Sequence, residues 1–273
     1  MLAIIRQWRR QRILQRSGVD HDRWANVLAR LPLLDGLNAA ESDRLRQLTV
    51  VFLHERQIVP AAGLELTPDM TLHLAAQACL PIMNLDLDWY RNCSTVVLYP
   101  EGFVARHRYR DEFGLEHDET GAMSGEAWDT GPVVLSWADV AISGQRDGFN
   151  VVIHEFAHKL DMLNGDANGH PPLHADMSLP AWTGAFTRAY DDFCKRVDCG
   201  EATPGVDAYA AENPGEFFSV LSEVFFELPH ELQAMYPEVY RQFAAFFRQS
   251  PAERLRPRQD RWPAGVEEGG RKL

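Results

Sequence analysis

The chain reads as a mixed helix and strand protein built around one sizeable core, and three observations say so. Two short β-rich runs, residues 94–99 and 132–137, stand among longer stretches with the apolar spacing of helices. A helical stretch opening at Asn150, a good helix-capping residue, follows the second run after a short connection. The length of 273 residues suits one core with appendages, because single cores stop growing near ~250–300 residues.

The elements follow in order. Residues 1–5 are apolar, but Arg6, Arg9, Arg10 and Arg12 end that run before a secretory apolar stretch of ~7–15 residues can develop. An amphipathic surface helix is expected there in preference to an arm for an acidic partner. Leu28, Leu31, Leu34, Leu37, Leu45 and Leu48 are spaced for short helices, broken near Pro32 and at Gly36. A further helix is expected from Pro68 to Cys79, and then a buried strand over 94–99, turned by Pro100 and Gly102. Charged residues, Tyr, His and Gly interleave over 103–127, as in a solvent-facing hairpin or irregular loop. Pro132 places the 132–137 strand near a sheet edge, since proline cannot donate to a ladder. Asn150 caps a helix over 151–163 with Gly165 as its stop. After a loop at 166–180 comes a helix with Trp182, Phe186, Tyr190 and Phe193 on one face. Pro214 then introduces a helix over 215–228, and the last ~20 residues, poor in large apolar groups, read as a frayed tail.

Composition excludes several classes of function. Hydrophobic residues at 45% and charged residues at 24% are those of an ordinary globular chain. A formal charge of -12 repels nucleic acid and anionic membranes, so direct binding to either is not expected. No window approaches the ~18 consecutive apolar residues of a membrane span. Cys79, Cys93, Cys194 and Cys199 form no Cys-x-x-Cys pair and read as reduced thiols of a cytoplasmic protein.

The chemistry is concentrated in His154-Glu155-Phe156-Ala157-His158. Two imidazoles four residues apart share one helix face and can hold a single metal ion, for which tetrahedral zinc, one ion per chain, is expected. Glu155 projects beside that ion, where it can take a proton from an attacking water and pass it to the leaving amine. Such a site needs a third protein ligand. His158 is followed by Lys159, Leu160, Asp161 and Met162, with no further histidine at the spacing of the extended motifs, so a later carboxylate is sought. Glu216 and Glu223 lie seven residues apart on one face of the 215–228 helix. Glu216 near the helix start is preferred as ligand, with Glu223 as a supporting acid. Asp161 is placed to accept the free ring N–H of a ligating histidine. Tyr209 could donate a hydrogen bond to a tetrahedral oxyanion, and His170 and His174 sit in the loop beyond the motif.

The stretch 150–161 (Asn-Val-Val-Ile-His-Glu-Phe-Ala-His-Lys-Leu-Asp), with Trp137-Ala-Asp139 before it and Asn213-Pro-Gly-Glu-Phe-Phe218 after it, resembles the Mlc titration factor A family over most of residues 20–250. The same pieces are similar to the catalytic domain of anthrax lethal factor. The resemblance implies an α+β, zincin-like metallopeptidase fold with a small mixed sheet, whose edge strand would pair with extended peptide. It implies residues 1–65 as a helical N-terminal segment packed on the catalytic domain, 66–250 as that domain, and 251–273 as a flexible tail. It also favours Glu216 as ligand and Tyr209 as catalytic. For function it implies an aminopeptidase-like activity, and a role in glucose phosphotransferase regulation through binding the transcriptional repressor Mlc. A regulatory protein that sequesters a repressor without catalysis is the competing expectation. Glu155 speaks for catalysis, because a purely structural site has no use for a base.

Overall fold

The computed structural model describes residues 2–16, 19, 21–110, 116–123, 125–127, 131–201 and 203–256. The N-terminal third is helical: α1 (Leu2–Arg16), α2 (His21–Arg30), a 3-10 turn at Pro32–Leu34 and α3 (Ala39–Glu55). The breaks fall where Pro32 and Gly36 predicted them. α3 starts on a capping box in which Asn38 accepts from Ala40 and Glu41 N–H while Glu41 accepts from Asn38 N–H. The arginine-rich α1 is fastened by Arg10, whose guanidinium reaches both Glu55 and Asp88 at 3.1 Å. Arg12 lies 4.3 Å over the Trp8 ring.

Strand β1 (Gln57–Pro60) leads to α4 (Pro68–Cys79), capped by the Thr67 hydroxyl and carrying Pro68 in its first turn. There follow β2 (Thr95–Tyr99), β3 (Phe103–Arg110), β4 (Glu116–Met123), β5 (Gly125–Ala127) and β6 (Val133–Ser136). The β3–β4 pair is an antiparallel two-stranded ribbon, as the 103–127 pattern allowed. The other four strands form a mixed sheet in the order β1-β2-β6-β5, parallel between β1, β2 and β6 and antiparallel between β5 and β6. β6 is therefore not the edge strand expected from Pro132, because β5 covers it. Pro132 precedes the first strand residue, so its missing N–H falls outside the ladder and costs the sheet nothing.

Helices α5 (Trp137–Ile142), α6 (Val151–Asp161), α7 (Leu179–Asp198), α8 (Pro214–Glu227), α9 (Pro229–Met235), α10 (Pro237–Phe247) and α11 (Pro251–Arg254) complete the α+β fold, with a 3-10 turn at Ala208–Ala211. α6 lies between the sheet and α8, with Val152, Ile153, Phe156 and Leu160 fully enclosed. Behind α8, Trp182, Phe186, Phe218, Phe243 and Phe246 make an aromatic cluster whose ring centroids lie 4.3–6.3 Å apart. The first six residues of the expected tail are packed: Leu255 is buried, and Arg254 Nη1 donates to the carbonyls of Leu33 at 2.8 Å and Asp35 at 2.6 Å. The rest of that tail, residues 257–273, lies outside the described residues.

Candidate metal centre

The site is built on the buried start of α6. Asn150 Oδ1 accepts the Ile153 N–H at 3.0 Å, and its Nδ2 donates to Gln77 Oε1 at 2.9 Å and Glu227 Oε1 at 2.8 Å. The Asn150 N–H donates to Glu223 of α8. The cap is thus also the bolt between α6 and α8. With the helix held there, His154 and His158 point to the same side, ring centroids 4.9 Å apart.

α8 begins on an Asn213 cap, whose Oδ1 accepts the N–H groups of Gly215 at 2.9 Å and Glu216 at 3.0 Å. Glu216 in its first turn puts Oε2 3.1 Å from His154 Nε2 and 3.3 Å from His158 Nε2. The two Nε2 atoms are 3.2 Å apart. Three donors of this kind close a triangle that fits one small cation. Zinc bonds of ~2.0–2.1 Å at tetrahedral angles require donor separations of roughly 3.3–3.4 Å. Glu223, two turns further along α8, accepts from His154 Nδ1 at 2.8 Å, which leaves Nε2 as the lone-pair atom facing the triangle. The two acids expected on one face are therefore divided between the front and the back of the same ring.

Charge follows the geometry. Burial alone would push the His154 pKa down, but the carboxylates of Glu216 and Glu223 outweigh it and hold the imidazole well above its ordinary value. Burial would raise Glu216, yet its bonds to His154 and His158 bring it down to about 2. Glu223 stays raised, since its burial is only partly offset by His154 and Asn150. Deeper along α8, burial drives Glu227 up to about 8.

The other predicted residues separate. Glu155 is buried beside the triangle, and its charge is felt at both His154 and Tyr209. Tyr209, on the 3-10 turn before α8, is half exposed with its ring 6.4 Å from that of His154. Burial first, then Glu216, Glu212 and Glu155, push its phenol up to about 12, so it stays a proton donor. Asp161 does not orient a ligand ring: its Oδ1 and His158 Nδ1 are each buried without a hydrogen-bond partner, while its Oδ2 accepts the Gly169 N–H at 2.7 Å. At the end of α6 the loop's N–H groups lie closer to hand than the ring one turn back. His170 and His174 are pinned, to Thr183 Oγ1 at 3.3 Å and the Phe246 carbonyl at 2.7 Å. Sequence reasoning missed Gln77 and Glu227; polar residues at core positions of apolar helices were the available signal.

A zincin-like fold with two histidines and a glutamate converging from α6 and α8 defines a metallopeptidase. Residues 5–248 match the sequence profile of the glucose-regulated metallo-peptidase M90 family, and the chain belongs to that family. It is 38% identical over 243 residues to Mlc titration factor A of Escherichia fergusonii, covering 89% of this chain and 91% of that protein. It is 40% identical over 235 residues to Mlc titration factor A of Yersinia pestis (strain Pestoides F), covering 85% and 86%. Among the described residues no helix is long and apolar enough to cross a membrane.

Proposed function

We propose that the chain is a cytoplasmic, zinc-dependent peptidase of aminopeptidase type, with His154, His158 and Glu216 holding the ion. The observation that carries this is the ligand triangle of 3.1–3.3 Å, with one imidazole locked from behind by Glu223. A divalent ion bound there supplies Lewis acidity, which acidifies a water and polarises the scissile carbonyl. Glu155 takes the proton from that water and delivers it to the leaving amine. Tyr209, protonated across the working pH range, donates its phenol hydrogen to the oxyanion as the carbonyl carbon becomes tetrahedral. The substrate backbone pairs with β5, the strand at the open side of the mixed sheet nearest α6.

The aminopeptidase subclass, and a link to glucose phosphotransferase regulation through the repressor Mlc, rest on the likeness to the Mlc titration factor A relatives. Glu155→Gln is expected to keep one zinc per chain and to lose hydrolysis of aminoacyl-nitroanilides, whereas His158→Ala loses both. Metal content by atomic absorption and turnover on a nitroanilide panel separate the two. Undiminished turnover in Glu155→Gln overturns the assignment, and a wild type that binds zinc and Mlc but hydrolyses no peptide establishes the sequestering role instead.

A further inference from the structure

Glu216 reaches the histidines from a separate helix, 58 residues beyond His158, so the start of α8 must be fixed against α6. The loop between α6 and α7 runs past that start. Asp161, the last residue of α6, is fully buried and accepts the Gly169 N–H at 2.7 Å. On the other side, Trp182 of α7 donates its indole N–H to the Gly169 carbonyl at 2.9 Å. Gly169 is thereby held through both of its backbone polar groups, at a φ of +76° that side chains rarely adopt.

The clamped loop touches α8 backbone to backbone. A Cβ on Gly169 would stand 2.7 Å from the Pro214 carbonyl oxygen, and a Cβ on Gly215 would stand 2.9 Å from that of Ala167. Both distances are shorter than real Cβ contacts, so a pair of absent β-carbons, one on each side, permits the contact immediately before Glu216. Trp182 is itself fully buried in the aromatic cluster, which gives the clamp a rigid seat.

We propose that Asp161 and Gly169 are positioning residues: the Asp161–Gly169–Trp182 clamp sets the spacing between α6 and the first turn of α8, and so places the Glu216 carboxylate in the ligand triangle. The inference rests on the proposed metal site. Ligand constellations tolerate only about 0.5 Å of displacement, which is less than either added methyl would demand.

Zinc affinity of metal-stripped protein, measured by competition with a chromophoric chelator, tests the clamp alongside thermal melting of the same samples. Gly169→Ala and Gly215→Ala crowd the contact from opposite sides. Gly165→Ala strains the same loop, at a φ of +149°, with nothing within 4 Å of the new Cβ. The two contact variants are expected to weaken zinc binding by about 10- to 100-fold, with Gly165→Ala within about threefold of wild type whatever its melting temperature. Gly215→Ala keeps the test decisive if Gly169→Ala does not fold, because alanine is favoured in a helix. Wild-type affinity in Gly215→Ala, or equal weakening in Gly165→Ala, overturns the clamp. A wild type that takes up no zinc overturns the site reading itself, so the two failures are distinct.

Discussion

The two faces of α8 make the molecule's sharpest contrast. At about 100° per residue, Glu216, Glu223 and Glu227 fall on one side of the helix, with Phe218 and Phe225 opposite. The aromatic side is redundant: Phe218 meets four rings, and Phe225 meets another four that include Phe243 in common. The acidic side has no redundancy. Each carboxylate has its own partner, the ligand triangle for Glu216, the back of His154 for Glu223 and the α6 cap for Glu227. One face sets how firmly the helix is held, and the other spends that firmness on chemistry.

The largest way to break the contrast is through the packing. Phe218→Ala should cost about 3–5 kcal/mol in denaturant unfolding, from lost burial and the cavity left behind. Zinc affinity of the folded protein should stay near wild type. A large loss of affinity at unchanged stability would mean that the faces are not separable.

Tyr209→Phe probes the chemical side alone. With its ring half exposed and no bond to the ligand triangle, its removal should leave melting and zinc content unchanged. On nitroanilide substrates kcat should fall by about 10²–10³-fold with KM little altered, as for loss of one oxyanion donor. Equal activity would reduce Tyr209 to a wall of the cleft.

The smallest effect sharpens the boundary between the faces. Burial holds the Glu227 pKa at about 8 against an ordinary 4.5, so the folded state keeps a proton that the unfolded chain gives up. Its contribution to stability is complete below about 4.5 and is lost as pH rises through about 8. Wild-type melting temperature should therefore decline between these limits, and Glu227→Gln should flatten the decline. An identical slope in the variant would show Glu227 ionised in the fold.

Much of this was legible beforehand, for local reasons. α4, α6 and α8 announce themselves by Thr67, Asn150 and Asn213 caps, with prolines at the first position of α4 and α8. α9 and α10 carry no side-chain cap, and only Pro229 and Pro237 mark their starts, so the layer that completes the aromatic cluster was not foreseen. The choice between Glu216 and Glu223 depends on how two helices cross. Seven residues return to nearly the same face, and only the α6–α8 bolt at Asn150 decides which acid meets the front of the ring. The Asp161 expectation failed similarly, because a loop eight residues away in sequence competed for its carboxylate. The edge position of β6 was misjudged because a three-residue strand such as β5 leaves almost no periodic trace.

The Arg254 guanidinium closes a loop of 221 residues onto the carbonyl of Leu33. During synthesis the ribosome releases the 3-10 turn at Pro32–Leu34 long before the residue that buckles it has been made. That turn waits with an open carbonyl until nearly the whole chain has emerged, so the first and last ordered pieces settle together, late, and a stalled nascent chain lacks the buckle altogether.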